Sequence, residues 1–221
     1  MATVKAKFNM TAEENIFVIK RNIVDYIWKS ARLEGIRITY ADTEAICNGG
    51  IVSNLKADDV VAINNLKHAW QFVIESVKYP IDFPYICEIH KYVGSNLIRG
   101  AGSIRNVPVS IGGTTWKPDM PIESKITEEL VDILRIESPT ERGITLMLHI
   151  MRRQMFLDGN KRTSMFVANH VMISSGAGII TIPIEYQRDF TALLIRFYET
   201  YKKNEIINYV YEHCIDGIEF R

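Results

Sequence analysis

Apolar residues recur at the spacing of an α-helix along most of the 221-residue chain. The first such stretch begins at Thr11 and Glu14, whose spacing is that of a capping box, and carries Ile16 and Ile19 on one face. It is expected to end near Gly35, because glycine readily takes the left-handed conformation that closes a helix. A long amphipathic helix is therefore predicted near the start of the chain.

Eight further helices are predicted from the same periodicity, with glycine and proline as start and stop signals. They cover about residues 42–47, 58–77, 84–93, 125–136, 140–155, 161–173, 188–201 and 205–214. Only a short break separates the helix that ends near residue 155 from the helix that follows it. The fold class is therefore predicted to be all-α, that is, mainly α-helical.

The one clear β pattern lies between the helices predicted at about residues 84–93 and 125–136. Val107, Val109 and Ile111 occupy every second position, and Gly112 and Gly113 can supply a tight turn. This pattern predicts one β-hairpin over about residues 104–116. A second, shorter extended piece is expected at residues 179–184.

Composition narrows the classes of partner. The chain has 26 basic and 26 acidic residues, whereas a nucleic-acid-binding protein normally carries a basic excess. Its apolar runs stay shorter than the roughly 18 residues of a spanning helix, and the N-terminus lacks the apolar core of a signal peptide. Neither nucleic acid nor a membrane is expected as a partner, and a homodimer is left open.

The cysteines give no sign of a metal or disulfide framework. Cys47, Cys87 and Cys214 lie far apart in the sequence and form no CxxC pair. An odd number of cysteines fits a reducing compartment. A cytoplasmic location is therefore expected.

The segment from Gln154 to Thr163 holds the candidate chemistry, at the break between two predicted helices. Gly159 lets the backbone approach a ligand, and free N–H groups at a helix start favour an anion. Lys161 and Arg162 add positive charge suited to phosphate, and Asp158 is a hard oxygen ligand suited to magnesium. These residues predict a nucleotide-phosphate site. On spacing alone an ordinary turn followed by a solvated basic helix face remains an equal alternative.

The same segment resembles the core motif of the Fic family (Fic/Doc, or Fido, fold), His-x-Phe-x-Asp/Glu-Gly-Asn-Gly/Lys-Arg. Phe156 and residues 158–162 match it, and Gln154 stands where the family has histidine. Gly102 and Arg105, followed by the predicted hairpin, resemble the family's flap.

An N-terminal segment also matches the family. Ser30, Glu34 and Gly35 fit its inhibitory Ser/Thr-x-x-x-Glu-Gly/Asn motif, and the resemblance as a whole covers about residues 11–215. It divides the chain into an N-terminal helical segment, 1–55, which carries the inhibitory motif, and a Fic core, 56–221, in one compact unit.

The resemblance implies transfer of AMP from ATP to a hydroxyl side chain of a protein. Asp158 would then hold magnesium, while Gly159, Asn160 and Arg162 cradle the phosphates. Lys161 resembles the lysine of the Doc-like branch, one member of which transfers phosphate. ATP and magnesium are the expected cofactors.

The flap and Phe156 also take expected roles from the resemblance. The flap residues Val107, Val109 and Ile111 would dock an unknown protein target by strand addition. Phe156 would anchor the loop in the core.

Gln154 is the main departure from the family pattern. The family histidine is the general base, and a neutral amide has no basic site near physiological pH. His149 and His170 are expected to be ordinary helix residues rather than substitutes. Gln154 therefore counts among the candidate catalytic residues, with Asp158 and Arg162, only as a group that orients a hydroxyl or water. Nucleotide binding is expected, and normal AMP transfer is not.

A second departure concerns inhibition. The family often has a further arginine that pairs with the inhibitory glutamate, and that position is Met165 here. Glu34 must then find Arg162, Lys161 or another partner. The alternative interpretation is that Ser30 and Glu34 only close and cap a helix.

Four functions remain open from the sequence. The first is a slow or altered Fic transferase, and the second is a nucleotide-binding pseudoenzyme or regulatory module. The third is an enzyme that removes AMP, with Glu34 positioning a water. The fourth is an interaction scaffold that keeps only the fold.

Overall fold

The computed structural model describes residues 4–219, and within them the chain forms nine α-helices. In chain order they are α1 Ala12–Leu33, α2 Tyr40–Cys47, α3 Ala57–Ser76, α4 Phe83–Gly94, α5 Glu123–Leu134, α6 Pro139–Arg153, α7 Asn160–Ser174, α8 Gln187–Thr200 and α9 Asn204–His213. A 3-10 turn, Ile184–Tyr186, precedes α8. All nine predicted helices are present, and the mainly α-helical class is confirmed.

The ends of α1 show why local signals located the helices well. The hydroxyl of Thr11 accepts the backbone N–H of Glu14 at 3.1 Å, and the Glu14 carboxylate accepts the N–H of Thr11 at 2.7 Å. At the other end Gly35 takes φ +83°, a value that costs glycine little. Both signals lie within a few residues of the helix that they delimit.

A small two-stranded antiparallel element is present, but it lies away from the predicted hairpin. β1, Ile179–Ile180, pairs with β2, Ile215–Asp216. The flap segment, defined here as residues 104–122, contains no strand. Its turn does form, with Gly113 at φ +82°.

The prediction of strands at Val107–Trp116 was therefore wrong, and a buried arginine supplies the physical reason. Arg105 donates one guanidinium N–H to the carbonyl of Val107 at 2.8 Å and another to that of Asp119 at 2.5 Å. The two arms of the flap are thus held together by a side chain in place of a backbone ladder.

Two clusters of buried apolar side chains form the core, and the α6–α7 pair contributes to both. Leu146 and Ile150 of α6 lie in the first cluster, with residues of α1, α3 and α4. Ile144 and Leu148 of the same helix lie in the second cluster, with residues of α8 and α9. The loop between α6 and α7 therefore connects two deeply buried helices that take part in both clusters.

The segment before α1 hydrogen bonds to residues that come much later in the sequence, and these bonds hold α1 in place. The N–H of Met10 donates to the carbonyl of Gly176 at 2.8 Å, and the Lys7 ammonium donates to the carbonyls of Tyr211 and Glu212. Inside α1, Asn15 donates to the carbonyl of Gly178 at 2.8 Å. α1 shares the first core cluster with α3, and the division of the chain at residue 55 stays a prediction.

No helix within residues 4–219 is both long and apolar enough to cross a membrane.

Candidate functional site

The loop between α6 and α7 is shaped by two left-handed residues. Gln154 follows the last residue of α6 and takes φ +46° and ψ +58°, which ends the helix. Gly159 takes φ +73° and directly precedes α7. A Cβ atom on Gly159 would come within 2.9 Å of Ile98. The glycine is therefore required by both its conformation and the space around it.

Two amide side chains brace this loop from inside. Asn160 is 3% exposed; its Oδ1 accepts the N–H of Phe156 at 2.9 Å, and its Nδ2 donates to the Phe156 carbonyl at 2.8 Å. The same Nδ2 donates to Oε1 of Gln154 at 3.1 Å, and Nε2 of Gln154 donates to the Met151 carbonyl at 2.6 Å. The Asn160 side chain is committed to the loop, so only its backbone N–H is left for a ligand.

His90 of α4 supports the loop from below, a role that the sequence did not reveal. Its ring stacks on Phe156 with centroids 3.7 Å apart and planes 5° apart. The backbone N–H of Gly102 donates to Nδ1 at 2.8 Å, so Nε2 carries the proton and donates to the carbonyl of Asp158 at 3.0 Å. Burial lowers the pKa of His90 to about 4. The neutral ring ties the base of the flap to the loop.

Arg105 makes a second connection between the flap and the loop. It is 3% exposed, and its Nε donates to the carbonyl of Gln154 at 2.7 Å. Its backbone N–H donates to the carbonyl of Met155 at 2.9 Å. Because the same guanidinium holds both arms of the flap, the flap and the loop are positioned by one side chain.

The start of α7 has three backbone donors without an acceptor in the described chain. The N–H groups of Asn160, Lys161 and Arg162 have no acceptor within residues 4–219, while that of Gly159 is taken by Oδ1 of Asp158 at 2.6 Å. Free N–H groups at a helix start attract anions through both hydrogen bonding and the helix dipole. This end of α7 can therefore bind a phosphate group.

Two charged side chains flank these donors. Arg162 has an 11% exposed side chain, and its Nη2 lies 3.4 Å from Oδ2 of Asp158, whose side chain is 72% exposed. Among the described residues no three histidine, cysteine or acidic side chains group as a metal site would require. A single exposed carboxylate fits a magnesium ion that arrives on nucleotide phosphates, since Mg²⁺ is commonly held that way.

Glu34 reaches the site from the C-terminal end of α1. Its carboxylate lies 3.4 Å from Nε of Arg162 and 3.3 Å from Nζ of Lys161. Lys161 also donates to the carbonyl of Leu33 at 3.1 Å, so it caps the end of α1. Glu34 therefore pairs with the two cations at the start of α7.

Ser30 hydrogen bonds to Glu34 through its backbone. Its carbonyl accepts the N–H of Glu34 at 3.2 Å, which helps to set the end of the helix. Its side chain lines the small cleft between Glu34 and Arg162.

The remaining residues that the sequence singled out lie around the site without entering it. Val107 of the flap is 45% exposed, and Val109 and Ile111 are half-buried. His170 is buried, with Nε2 3.2 Å from the carbonyl of Ser76. Burial lowers its pKa, as expected of an ordinary core histidine.

Comparison with known proteins gives the same family that the motif suggested. Residues 80–172 match the sequence model of the Fic/DOC family. The chain is 26% identical over 181 residues to protein adenylyltransferase fic-1 of Caenorhabditis briggsae, and to the same degree to fic-1 of Caenorhabditis elegans. Each match covers 76% of this chain and 35% of the relative. The chain therefore spans about a third of the length of these relatives.

Solved structures share the fold. Fic-1 of C. elegans superposes with a TM-score of 0.75 at 22% identity, covering 88% of this chain and 62% of that one. A Fic domain-containing signaling protein of Bacteroides thetaiotaomicron gives 0.71 at 18% identity, covering 91% and 84%. BepC of Bartonella tribocorum, solved with bound AMPPNP, gives 0.51 at 13% identity, covering 80% and 90%. The helical arrangement around the loop is thus the Fic fold.

Proposed function

Because residues 80–172 carry a Fic/DOC domain, we propose that this protein binds ATP and transfers AMP slowly to a protein hydroxyl group. ATP binds at the N-terminus of α7, and Gln154 keeps the rate low. The observation that supports this most directly is the meeting of three free backbone N–H groups, at residues 160–162, with the Arg162 side chain that Glu34 contacts.

The polyphosphate is the part of the nucleotide that these groups fit. Backbone N–H groups and a guanidinium can share several phosphate oxygens, and the helix dipole adds to the attraction. Asp158, beside them, would hold a magnesium ion carried by the phosphates. The AMPPNP complex of BepC and the adenylyltransferase relatives support ATP as the nucleotide.

AMP transfer also requires a place for a proton. The target hydroxyl oxygen forms a bond to the α-phosphorus of ATP, the bond to the bridging oxygen breaks, and pyrophosphate leaves. The hydroxyl proton must pass to an acceptor, which the amide of Gln154 cannot be. Both ends of that amide are also engaged within the loop. Loss of a general base typically lowers a rate by about 10²–10⁴-fold.

Glu34 opposes nucleotide binding in this proposal. Its carboxylate neutralises Arg162 and Lys161, and it would lie near the incoming phosphates, where like charges repel. Phosphate binding therefore requires Glu34 to give up these contacts. The flap residues Val107, Val109 and Ile111 would present the target segment to the same site, since their backbone lacks a strand partner.

The transfer reaction is tested with ATP labelled at the α-phosphate and a cell lysate as the source of targets. The Glu34→Gly variant should label protein weakly, because the base is still missing. Adding Gln154→His should raise the initial rate by about 10²–10⁴-fold, and adding Arg162→Ala to that pair should abolish it. Absence of label in the Glu34→Gly/Gln154→His protein, under conditions where it binds ATP, would contradict a transferase.

A nucleotide-binding regulatory module is the second candidate, favoured by the complete bracing of Gln154. This candidate requires that the protein bind the nucleotide without transferring any part of it. ATP with magnesium at about 100 times Kd stabilises a protein by about 2.7 kcal/mol, so the melting temperature should rise by several degrees in Glu34→Gly. Arg162→Ala should remove that rise. If neither ATP nor ADP shifts the melting temperature of Glu34→Gly, both candidates fail.

A further inference from the structure

A cavity of about 410 Å³ lies beside the loop between α6 and α7. Arg152 and Arg153, which directly precede Gln154, line it, whereas none of residues 154–162 does. Its walls come from α5, α6, the end of α8 and the C-terminal arm of the flap. The volume falls within the range of small-molecule sites. The cavity is called here the flap–α6 cavity.

Aromatic and apolar side chains form much of its wall. Trp116 of the flap and Tyr201 after α8 both lie against the guanidinium of Arg152, with its Cζ 4.2 Å and 4.7 Å from the two ring centroids. Leu148 and Phe197 add buried apolar surface. Such walls suit the carbon skeleton of an organic ligand.

Two cations of the cavity lack a carboxylate partner within the described chain. The Lys203 ammonium makes no hydrogen bond or ion pair there, and the Arg152 guanidinium donates only to the carbonyl of Tyr198, at 3.3 and 3.1 Å. Arg153, by contrast, is fully engaged by a two-point ion pair with Glu129. The unpaired charge of the inner wall is therefore positive.

The remaining acids lie at the rim. Asp132 is 78% exposed and lies 3.5 Å from Arg135, and Asp119 is exposed to solvent. Exposed carboxylates are strongly screened by water and salt. They weaken the positive character of the cavity less than an inner carboxylate would.

His149 adds a neutral acceptor to the wall. Its side chain is 14% exposed, and its buried Nε2 lies 3.3 Å from Oε2 of Glu129 without forming a hydrogen bond to it. A carboxylate beside Nε2 favours the tautomer with the proton there, which leaves Nδ1 as a lone-pair acceptor with no partner in the described chain. Burial lowers the pKa of His149 to about 4, despite Glu129, and Arg153 and Lys203 lower it further.

We propose that the flap–α6 cavity is a second ligand site, which binds a small organic carboxylate or phosphate that also carries a hydroxyl or amine donor. The anion contacts Lys203 and Arg152, the donor hydrogen bonds to Nδ1 of His149, and the carbon skeleton packs between Trp116 and Phe197. Because Trp116 belongs to the flap, an occupied cavity holds the flap against α8.

The site can be probed with 4-hydroxybenzoate, which combines a ring, an anion and a hydroxyl donor. The chain has three tryptophans, so the indole N–H signals of ¹⁵N-labelled protein are few, and Trp116→Phe identifies the signal of Trp116. Titration should move that signal most. The neutral 4-hydroxybenzamide should bind at least about tenfold more weakly, as should 4-methoxybenzoate, which lacks the donor. A matching shift with 4-hydroxyphenyl phosphate instead of the carboxylate also supports the site and identifies phosphate as the preferred anion.

Lys203→Met tests the charge, with Lys202→Met as the matched control because Lys202 is exposed and does not line the cavity. The first variant should weaken the probe about tenfold, and the second should leave it unchanged. Arg162→Ala, which removes the proposed nucleotide contact, should still bind the probe, so failure of one proposal is distinguishable from failure of the other. The proposal is overturned if neither anion moves the Trp116 signal, if the amide binds equally well, if the two lysine variants behave alike, or if ATP displaces the probe.

Discussion

Gln154 and Asn160 hold the loop between α6 and α7 with neutral amide groups. The motif had suggested that Asn160 contacts phosphate, but its side chain closes the loop on itself through the backbone of Phe156. A motif gives the identity of a side chain and not its direction, so the sequence placed Asn160 at the site without showing what it binds.

Asn160→Ala should therefore lower stability as well as nucleotide binding. It leaves the buried N–H and carbonyl of Phe156 without partners, which costs about 2–4 kcal/mol of unfolding free energy. Asn204 is a matched control, because it is also the first residue of its helix but is exposed and makes no side-chain hydrogen bond in the described chain. Urea unfolding of Asn204→Ala should be within about 0.5 kcal/mol of wild type. Equal losses in the two variants would contradict this role for Asn160.

His90 should make stability depend on pH. Its imidazole takes a proton near pH 6.5 when unfolded and only near pH 4 when folded. Between these values the unfolded state binds more protons, so the unfolding free energy falls as the pH drops from about 7 to 4, by up to about 3 kcal/mol from this residue.

His149 and His170 also have lowered pKa values and add to the pH dependence of stability. The contribution of His90 is therefore measured as a difference between the wild type and a variant. In His90→Gln the slope of unfolding free energy against pH should decrease by nearly one proton between pH 4.5 and 6. The control His68→Gln, at an exposed position, should keep the wild-type slope. An unchanged slope in His90→Gln would rule out the neutral, buried ring.

At the scale of elements, the helices followed from the sequence and the flap did not. Caps such as Thr11 with Glu14 act within a single turn, so their pattern is complete in the local sequence. The flap depends on Arg105, which bonds to the carbonyls of residues 107, 119 and 154. The alternation at Val107 and Val109 could not reveal that carbonyls distant in the sequence would accept hydrogen bonds from Arg105.

Gly176 lies in close contact with the segment before α1, and no sequence pattern indicated this contact. It has φ +63°, and a Cβ atom there would come within 1.5 Å of the Met10 carbonyl oxygen in the segment before α1. Gly176→Ala should cost more than about 3 kcal/mol of unfolding free energy, because the backbone conformation and the collision both oppose it.

Gly35 offers the matched control for that substitution. Its φ is +83°, and a Cβ atom at this position would have nothing within 4 Å. Gly35→Ala should therefore show only the backbone cost, about 1–2 kcal/mol. If thermal or urea denaturation shows equal losses of unfolding free energy in the two variants, the contact of Gly176 with Met10 is not tight.

At the scale of the whole molecule, α6 and α7 contribute residues to both core clusters. Trp70 reports on the first cluster, where it packs on Phe166 of α7, and Trp116 reports on the second, where it stacks with Tyr198 of α8. Because both clusters share the same central helices, they should unfold together.

The prediction is tested in two variants that keep either Trp70 or Trp116 as the reporter, with the other two tryptophans replaced by phenylalanine. The fluorescence midpoints in urea should coincide with the midpoint from far-ultraviolet circular dichroism of the same variant. Separate transitions within either variant would mean that the clusters unfold independently.

Gln154 also has a genetic consequence. Glutamine and histidine codons share their first two bases, so a single base change converts one into the other. The shape of the loop depends little on the side chain at residue 154. The left-handed turn there is a backbone feature, and the loop is held by the hydrogen bonds of Asn160 to Phe156 and of His90 to the carbonyl of Asp158. A Gln154→His substitution would therefore place an imidazole in a loop that is already folded to receive it, and under the proposed function a single base change would separate a slow transferase from a faster one.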